Sequence, residues 1–394
     1  MKRKDLKLGV EVFFEEELFK EYEKAKIALL THQAATNGEL CLTYELFYQT
    51  FREKLKYLFS PQHGLFSEKQ ANMHFSSDER EPFVGIEVKS LYGNRLAPHF
   101  EDLKDVELIF VDLVDVGCRV YTYIWTLFLL MKTCEQLNKE VVILDRPNPL
   151  GRTIEGPLLE EEFYSFVGYA SLPQRHGLTI GEIAIFFQKR YFPNLTLRII
   201  PMKHYNPLEL FSTLKRFWVP PSPNLPLFDC ALVYPGMVYL EGTNLSEGRG
   251  TTLPFLTFGA PYLKIKLLYE LLRDEISKNY LGIKFKPIAF EPTFDKWMGK
   301  RCYGFQIFIT NPHFVKTVEL SLFLLKFIKE THEEFDFLSI HYEFETKKKP
   351  IEILIGNREV LFWLMGEREE NLSALLNKGI EAYQKEIQSI IIYK

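Results

Sequence analysis

The segment LFSPQHGLF, residues 58–66, places a short polar turn between two apolar flanks and contains two side chains suited to chemistry. His63 is a candidate base, whereas the amide of Gln62 donates and accepts hydrogen bonds but carries no charge and releases no proton at neutral pH. Such a segment is typical of a plain loop at the end of a strand, and also of the lip of an active site. The residue types alone leave both interpretations open.

Polar side chains follow five consecutive apolar runs. The runs, residues 26–31, 55–60, 88–92, 106–113 and 141–144, are short, rich in Val, Ile, Leu and Phe, and bounded by turn residues, which predicts buried strands. The polar residues at their ends are Thr31, His32 and Gln33; Gln62 and His63; Tyr92, Gly93 and Asn94; Asp112 and Asp115; and Asp145, Arg146 and Asn148. Ligands bind beyond the carboxyl ends of parallel strands, so we expect a site along this edge. Each residue alone also fits an ordinary turn.

The elements that would position these residues form an α/β pattern. Amphipathic stretches at residues 44–52 and 122–137 lie between the predicted strands, which predicts a mostly parallel sheet with helices on both faces. A chain of 394 residues exceeds one typical core and indicates two domains or one elaborated domain.

The sequence changes character at the proline-rich segment WVPPSPNLPLFD, residues 218–229, which predicts a stiff connection. Beyond it we predict a strand and a polar loop within residues 230–255, strands at 284–290 and 305–310, a helix at about 313–329, and two closing helices. We therefore expect a first domain over residues 1–222 and a smaller α+β domain over residues 223–394.

Composition and motifs exclude several function classes. The 48 Lys and Arg residues against 52 Asp and Glu residues give a net charge of -4, so no nucleic-acid partner is expected. The first strand runs into THQAATNGEL, which lacks G-x-G-x-x-G, and no P-loop motif occurs, so we expect no nucleotide cofactor. The five cysteines are widely spaced without a C-x-x-C pair, which favours reduced thiols and no metal site.

The N-terminal segment is predicted not to be a signal peptide. It begins basic, but Glu11 and then Glu15, Glu16 and Glu17 interrupt its apolar run. The apolar stretch at residues 120–131 is too short to span a bilayer. The chain as given is therefore expected to be cytoplasmic and without a membrane span.

Six segments, in order, resemble the signature blocks of the exo-β-N-acetylmuramidase family of glycoside hydrolases. The similarity runs from about residue 8 to residue 393. The blocks are FSPQHGLF, VDLVDVGCRVYTYI, VVILDRPNPLGRTIEGPLLEEEFYSFVG, LPQRHGLTIGEIA, WVPPSPNLP and YPGMVYLEGTNLSEGRGTTLPF.

The resemblance implies a Rossmann-like domain followed by a C-terminal domain, with a cleft at their junction. It also implies an activity: removal of N-acetylmuramic acid from the non-reducing end of peptidoglycan fragments. The expected partner is thus a peptidoglycan fragment or muropeptide, and this chemistry requires neither a metal nor another cofactor.

Two positions depart from the family pattern. Gln62 replaces the glutamate of Ser-Pro-Glu-His-Gly, a suspected catalytic residue, and Val114 replaces a glutamine. Gln62 keeps the hydrogen-bonding shape of glutamate without its charge. Either another group serves as the carboxyl, or the chain is a catalytically weakened protein that binds muropeptides.

Glycoside hydrolysis commonly uses two carboxyl groups, one as acid and one as base or nucleophile. The candidates within the matched blocks are Asp112, Asp115, Glu155, Glu160, Glu241 and Glu247. We favour Glu241 and Glu155, because each precedes a glycine in a turn where a side chain can face a cleft. In a substrate-assisted reaction Asp112 or Asp115 could instead orient the acetamido group of the sugar. The predicted catalytic set is Gln62, Glu155, Glu241 and Asp115.

The lactyl carboxylate of muramic acid needs a cation, and arginine can donate two hydrogen bonds to one carboxylate. The arginines in the blocks are Arg119, Arg146, Arg175 and Arg249. The other predicted binding residues are His63, Tyr121, Asn148, His176, Asn244 and Glu247. We expect one cleft to be lined by Gln62, His63, Asp115, Arg146, Glu241 and Arg249.

Overall fold

The structure, a computed structural model, describes residues 5–70, 75–273 and 277–394. A seven-stranded sheet organises the first half. Its strands are β1 (Ile27–Thr31), β2 (Leu55–Ser60), β3 (Glu79–Arg80), β4 (Glu87–Ser90), β5 (Leu108–Asp112), β6 (Glu140–Leu144) and β7 (Leu197–Ile200). The order is β3-β4-β2-β1-β5-β6-β7, and every neighbouring pair is parallel except β3 and β4. The predicted mostly parallel sheet is confirmed.

The six parallel strands follow the order of a Rossmann-type fold, and the chain reverses direction across the sheet between β1 and β5. These two strands end together, because Thr31 pairs with Asp112 in the register. Crossovers that leave adjacent strands in opposite directions open a crevice at their carboxyl ends. The polar residues that follow β1, β2 and β5 therefore share one edge of the sheet.

Helices cover both faces of this sheet. Ile27 and Leu29 of β1 face one apolar cluster, whereas Ala28 and Leu30 face another, as the alternation of a strand requires. Helices α1 and α2 contribute to the first cluster, and α4 and α5 contribute to the second. The helices of this half are α1 (Gly9–Glu15), α2 (Thr43–Phe51), α3 (Phe100–Leu103), α4 (Tyr123–Gln136) and α5 (Ile180–Tyr191).

The second half contains a smaller antiparallel sheet surrounded by helices, which confirms the expected α+β character. Its strands are β8 (Thr257–Ala260), β9 (Ile283–Phe290) and β10 (Cys302–Ile309), in the order β8-β10-β9. Its helices are α6 (Phe228–Met237), α7 (Ile265–Leu271), α8 (Ser277–Asn279), α9 (Thr317–Thr331), α10 (Pro350–Ile355), α11 (Arg358–Met365), α12 (Leu372–Asn377) and α13 (Ile380–Ile387).

Two expectations for this half were wrong. The apolar run after residue 229 forms helix α6 rather than a strand. Because the run is buried continuously, its sequence shows neither the periodicity of a helix nor that of a strand. Gly236 lets α6 pack closely on α9, since a Cβ there would lie 1.9 Å from the Thr317 carbonyl oxygen. The chain closes with four helices rather than two, because Gly356 and Gly366, both at positive φ, end α10 and α11.

The two halves pack against each other. One apolar cluster runs from Ile143 of the large sheet through Leu232 of α6 to Ile351 of α10. The C-terminal segment returns to the first half, where the Tyr393 hydroxyl donates a 2.7 Å hydrogen bond to Asp145. In the ranges that the structure describes, no helix is long and apolar enough to cross a membrane. The predicted boundary between residues 222 and 223 stays a prediction.

Candidate functional site

A pocket of about 430 Å³, part of it open to solvent, lies where the end of β2, the start of α4 and the second half meet. Five predicted site residues line it together, namely Gln62, His63, Tyr121, Glu241 and Arg249. The remaining lining residues are Val120, Thr122, Val167, Ser222, Asn224, Leu225, Tyr234, Phe255, Tyr342 and Glu343.

Gln62 follows the end of β2 and is held by hydrogen bonds at both ends of its amide. Its Oε1 accepts from the Thr122 hydroxyl at 2.5 Å, and its Nε2 donates to Glu343 Oε1 at 2.9 Å. In this orientation the amide presents its carbonyl oxygen to Thr122 and its N–H group to Glu343. Gln62 is thus held between Thr122 and a carboxyl of the second half.

His63 adopts a positive φ of 76° and is buried beside the pocket. Its Nδ1 lies 2.7 Å from the Lys69 carbonyl oxygen, so this nitrogen carries the proton and donates. The pKa of His63 is lowered to about 4, mainly by burial; the Lys69 carbonyl opposes this shift and the charge of Arg249 adds to it. The imidazole is therefore neutral at physiological pH.

Glu343 is a pocket residue that the sequence analysis missed. Its side chain is buried, and it accepts hydrogen bonds from Gln62 on Oε1 and from the Tyr92 hydroxyl on Oε2 at 2.6 Å. Burial raises the pKa of Glu343 to about 7, and the negative charge of Glu241 adds to the rise. In the described part of the chain, no cation forms an ion pair with this carboxyl.

Glu343 was missed because it lies outside the recognised blocks, in the charged loop HYEFETKKK at residues 341–349. Such a loop ordinarily indicates a solvent-exposed surface. One signal was available: Tyr342 and Phe344 flank the glutamate, and two aromatic neighbours are unusual for an exposed turn.

Glu241 has the opposite electrostatic environment. It lies 2.8 Å from Arg249 in an ion pair and accepts a 2.6 Å hydrogen bond from the Tyr342 hydroxyl. Arg249 also pairs with Glu247 at 2.9 Å, and Lys296 pairs with Glu247 at 2.6 Å. Burial raises the pKa of Glu241 and is opposed by Arg249, whereas the two cations outweigh burial and lower the pKa of Glu247.

The pocket thus contains two buried glutamates in unlike surroundings. Burial raises the pKa of Glu343 against the two neutral donors, so its proton is retained up to about neutral pH. Burial also raises the pKa of Glu241, but there a permanent positive charge opposes the rise. Two carboxyl groups whose surroundings differ in this way can act as an acid and a charged partner in one reaction.

Asp115 and His176, both predicted site residues, contact each other instead of lining this pocket. His176 Nδ1 accepts from the Leu178 backbone N–H, so the protonated Nε2 donates to Asp115 Oδ2 at 3.2 Å. The same oxygen accepts from the Gly117 N–H at 2.7 Å. Asp115 and His176 therefore hold the loop at Gly117 and the loop at Leu178 together.

Arg119 is fully buried, and its guanidinium donates only to backbone carbonyl oxygens. The acceptors are Pro157, Leu172, Leu354 and Ile355, at 2.8 to 3.1 Å. Because two acceptors come from each half of the chain, Arg119 joins the halves.

Glu155 and Arg175 form a second glutamate–arginine pair, at 3.4 Å, away from the pocket. Glu155 Oε1 accepts from the Val318 N–H at the start of α9. Arg175 donates to the carbonyl oxygens of Val315 and Leu150. The pair links a loop of the first half to the N-terminus of α9.

Arg146 lies in a different cavity, of about 580 Å³, whose lining also includes Val114, the second departure from the family pattern. Its guanidinium pairs with Asp112, which also accepts from the Thr43 hydroxyl at 2.6 Å. Arg146 and Val114 are therefore not brought to the pocket of Gln62.

Two predicted asparagines hold loops in place. Asn148 donates to the Leu178 carbonyl and accepts from the Leu150 N–H. Asn244 accepts from the Tyr262 hydroxyl at 2.5 Å and lies outside the lining of the pocket. Within residues 5–70, 75–273 and 277–394, no group of three or more potential metal ligands occurs.

The fold and the pocket define a protein with a Rossmann-like sheet and a pocket that contains two buried glutamates at its junction with a second unit. The family model described as exo-beta-N-acetylmuramidase NamZ, N-terminal, matches residues 27–229, and the corresponding C-terminal model matches residues 232–393. The chain therefore belongs to the exo-β-N-acetylmuramidase NamZ family. This confirms the resemblance found in the six sequence blocks.

Individual relatives agree with this assignment. The chain is 36% identical over 379 residues to the peptidoglycan beta-N-acetylmuramidase NamZ of Bacillus subtilis strain 168, covering 95% of this chain and 88% of that protein. Two crystal structures of DUF1343 family proteins from Bacteroides fragilis NCTC 9343 have TM-scores of 0.85 and 0.75. Each is 25% identical, and the match covers 99% of both chains.

Proposed function

We propose that this chain is an exo-acting glycoside hydrolase that releases N-acetylmuramic acid from the non-reducing end of peptidoglycan fragments. The observation that carries the proposal is the pair of unlike buried glutamates, Glu343 and Glu241, in one pocket at the carboxyl edge of the sheet. Glycoside hydrolysis uses such a pair, one protonated and one charged. The relationship to the B. subtilis muramidase supports the choice of sugar.

Arg249 is the residue that we assign to the lactyl carboxylate. Its Nη1 is used by Glu241 and Glu247, but its buried Nε has no hydrogen-bond partner. A buried donor without a partner costs free energy that a bound carboxylate would recover. The guanidinium can therefore keep its two ion pairs and still bind an acidic ligand.

The aromatic lining supports a sugar ligand. The Tyr121 and Tyr234 rings meet edge to face at 6.1 Å, and Phe255 lies against Tyr234 at 4.9 Å. The Tyr121 hydroxyl belongs to the lining of the pocket, so it can contact a sugar hydroxyl.

The test is to incubate the protein with the disaccharide of N-acetylmuramic acid linked β-1,4 to N-acetylglucosamine and to quantify the released monosaccharides. We expect free N-acetylmuramic acid from this substrate and none from the N-acetylglucosamine dimer. The exposed Glu39→Gln variant is the matched control and should behave as the parent does. Absence of release from the muramic disaccharide at pH 5 to 8 would contradict the proposal.

A second candidate function is favoured by Gln62, which stands in the pocket where the family pattern has glutamate. In this alternative the chain binds muropeptides with little or no turnover. Calorimetry with the same disaccharide distinguishes the two functions, because a binding protein gives a titration curve without release of monosaccharide.

A further inference from the structure

We propose that Glu343 is the catalytic general acid of this pocket and that Gln62 is a positioning residue that orients its carboxyl. The inference rests on the proposed function and deepens it, since it identifies which group supplies the proton when position 62 has no carboxyl. Glu343 lies outside all six recognised sequence blocks.

The hydrogen bonds around Glu343 fix its position and leave room for a proton. Gln62 occupies one lone pair of Oε1, and the Tyr92 hydroxyl occupies one of Oε2. A carboxylate offers about four acceptor positions, so two remain for the transferable proton and for the substrate. The Thr122 hydroxyl bonds to the other end of the Gln62 amide and so keeps the amide group in place beside Glu343.

The backbone also holds Glu343 toward the pocket. Glu343 and Phe344 both have positive φ, 45° and 67°, values that cost free energy for residues other than glycine. Two backbone hydrogen bonds between Tyr342 and Glu345, at 3.0 and 2.9 Å, close the turn. The turn therefore connects the two pocket glutamates. Glu343 is one of them, and the preceding residue, Tyr342, donates a hydrogen bond to the other, Glu241.

Aromatic rings fix the residue after the acid. The Phe344 ring stacks on Phe75 at 5.8 Å with an interplanar angle of 2° and contacts the edges of Tyr92 and Phe166. These contacts offset the cost of the strained backbone and exclude water from one side of the carboxyl. Exclusion of water is consistent with the raised pKa of Glu343.

The geometry explains why an amide at position 62 is compatible with an acid at position 343. A glutamate at position 62 would place two carboxyls at hydrogen-bonding distance, and such a pair cannot be fully ionised, so it shares a proton. Glutamine instead supplies a permanent N–H donor without adding charge. The pocket therefore keeps one acid on the second half of the chain after losing one from the first half.

Glu343 gives its proton to the glycosidic oxygen while the bond between that oxygen and the anomeric carbon breaks. The electron pair of this bond stays on the oxygen of the leaving sugar. A water oxygen then bonds to the anomeric carbon, and the proton that this water releases replaces the one lost by Glu343. Glu241 remains a carboxylate that stabilises the positive charge of the transition state.

The test compares leaving groups. Protonation matters most for a sugar leaving group and least for a dinitrophenolate, which departs without a proton. We expect Glu343→Gln to lower kcat on the muramic disaccharide by roughly 10²- to 10⁴-fold, and to lower kcat on the dinitrophenyl N-acetylmuramide far less. The exposed Glu39→Gln variant is again the control and should change neither rate.

Equal losses on both substrates, or no loss on either, would overturn the assignment to Glu343 while leaving the proposed function intact. A parent protein that cleaves neither substrate would overturn both. Binding of free N-acetylmuramic acid, measured by calorimetry, verifies that the Glu343→Gln pocket is folded.

A second variant keeps the proposal testable if Glu343→Gln does not fold. Gln62→Glu adds a carboxyl beside Glu343, so the pH at which kcat/KM falls on the alkaline side should move upward. Leucine has a similar size but no hydrogen-bond donor. Gln62→Leu should therefore also shift the alkaline side of the kcat/KM profile, because the Glu343 carboxyl loses its hydrogen-bond partner. Identical pH profiles for the parent and both variants would contradict the positioning role of Gln62.

Discussion

Two of the buried glutamate–arginine pairs, Glu155–Arg175 and Glu241–Arg249, look alike in the sequence, but their surroundings differ. Glu155 and Glu241 each precede a glycine, and each faces an arginine, Arg175 or Arg249. Around Glu155 the other partners are backbone groups, including the Val318 N–H at the start of α9. Around Glu241 the other groups are a phenol, two further charged side chains and the cavity.

The difference shows how a buried ion pair acquires a function. Arg175 Nε and Arg249 Nε are both buried without a hydrogen-bond partner, so an unpartnered donor does not separate the two pairs. The Glu155–Arg175 pair lies among backbone groups away from the pocket and holds two segments together. The Glu241–Arg249 pair lines the pocket beside a second ionisable group, where a ligand can reach it. The catalytic role predicted for Glu155 stays a prediction, but its contacts favour a structural role.

The largest effect is expected at the pocket pair. Glu241→Gln removes the charge that faces Arg249 and that would stabilise the transition state, so turnover of the muramic disaccharide should fall by roughly 10²- to 10⁴-fold. Circular dichroism should show an unchanged fold. If Glu155→Gln lowers the turnover of correctly folded protein as much as Glu241→Gln does, the distinction between the pairs is wrong.

The pH dependence of stability should also reflect the pocket. The pKa of Glu343 is about 7 in the folded chain and near its usual value of 4.5 when unfolded, so between these values the native state binds more protons. The free energy of unfolding should therefore decrease as pH rises from about 4.5 to 7, by up to roughly 3 kcal/mol from this group, and level off above. Urea denaturation of the parent and of Glu343→Gln at several pH values measures this. The same slope in both proteins would contradict the raised pKa.

The structural pair should affect stability instead of turnover. Glu155→Gln leaves Arg175 without a charged partner in a nearly buried position. We expect the free energy of unfolding to fall by about 1–3 kcal/mol, with unchanged kcat in the folded fraction. Thermal denaturation and a rate measured well below the melting temperature check both parts. A variant as stable as the parent would show that the pair does not secure α9.

The smallest effect is expected for conservative arginine substitutions. Arg249→Lys keeps the charge but loses the planar fork, so binding of N-acetylmuramic acid should weaken by about tenfold, roughly 1.4 kcal/mol. Binding of N-acetylglucosamine, which lacks the lactyl group, should not change. Arg175→Lys should leave both affinities unaltered. If both lysine variants bind both sugars as the parent does, Arg249 does not recognise the lactyl carboxylate.

Much of the first half could be predicted because its strands are short, fully buried and bounded by turns. The run at residues 55–60 coincides with β2, and Gln62 and His63 follow it into the pocket. Parallel strands place their ends at one edge, so local pattern and topology agree there.

The remaining features of the fold and of the site depend on contacts between residues that are far apart in the sequence, which motif spacing does not show. Gln62 and Glu343 are 281 residues apart, and only the packing of the second half brings them together. Arg119 looks like a ligand-binding cation in its motif, yet its two terminal nitrogens donate to backbone carbonyls, two in each half of the chain. The apolar run that forms α6 is buried on all sides, so it has no helical period.

We expect the sugar to bind with its anomeric carbon between the two pocket glutamates, and a crystal structure of the protein soaked with N-acetylmuramic acid would show this. The anomeric hydroxyl should lie within about 2.6–3.2 Å of a Glu343 oxygen, and the lactyl carboxylate should lie on Arg249. A sugar bound in the cavity of Arg146, or bound in the pocket with its anomeric carbon turned away from Glu343, would contradict it.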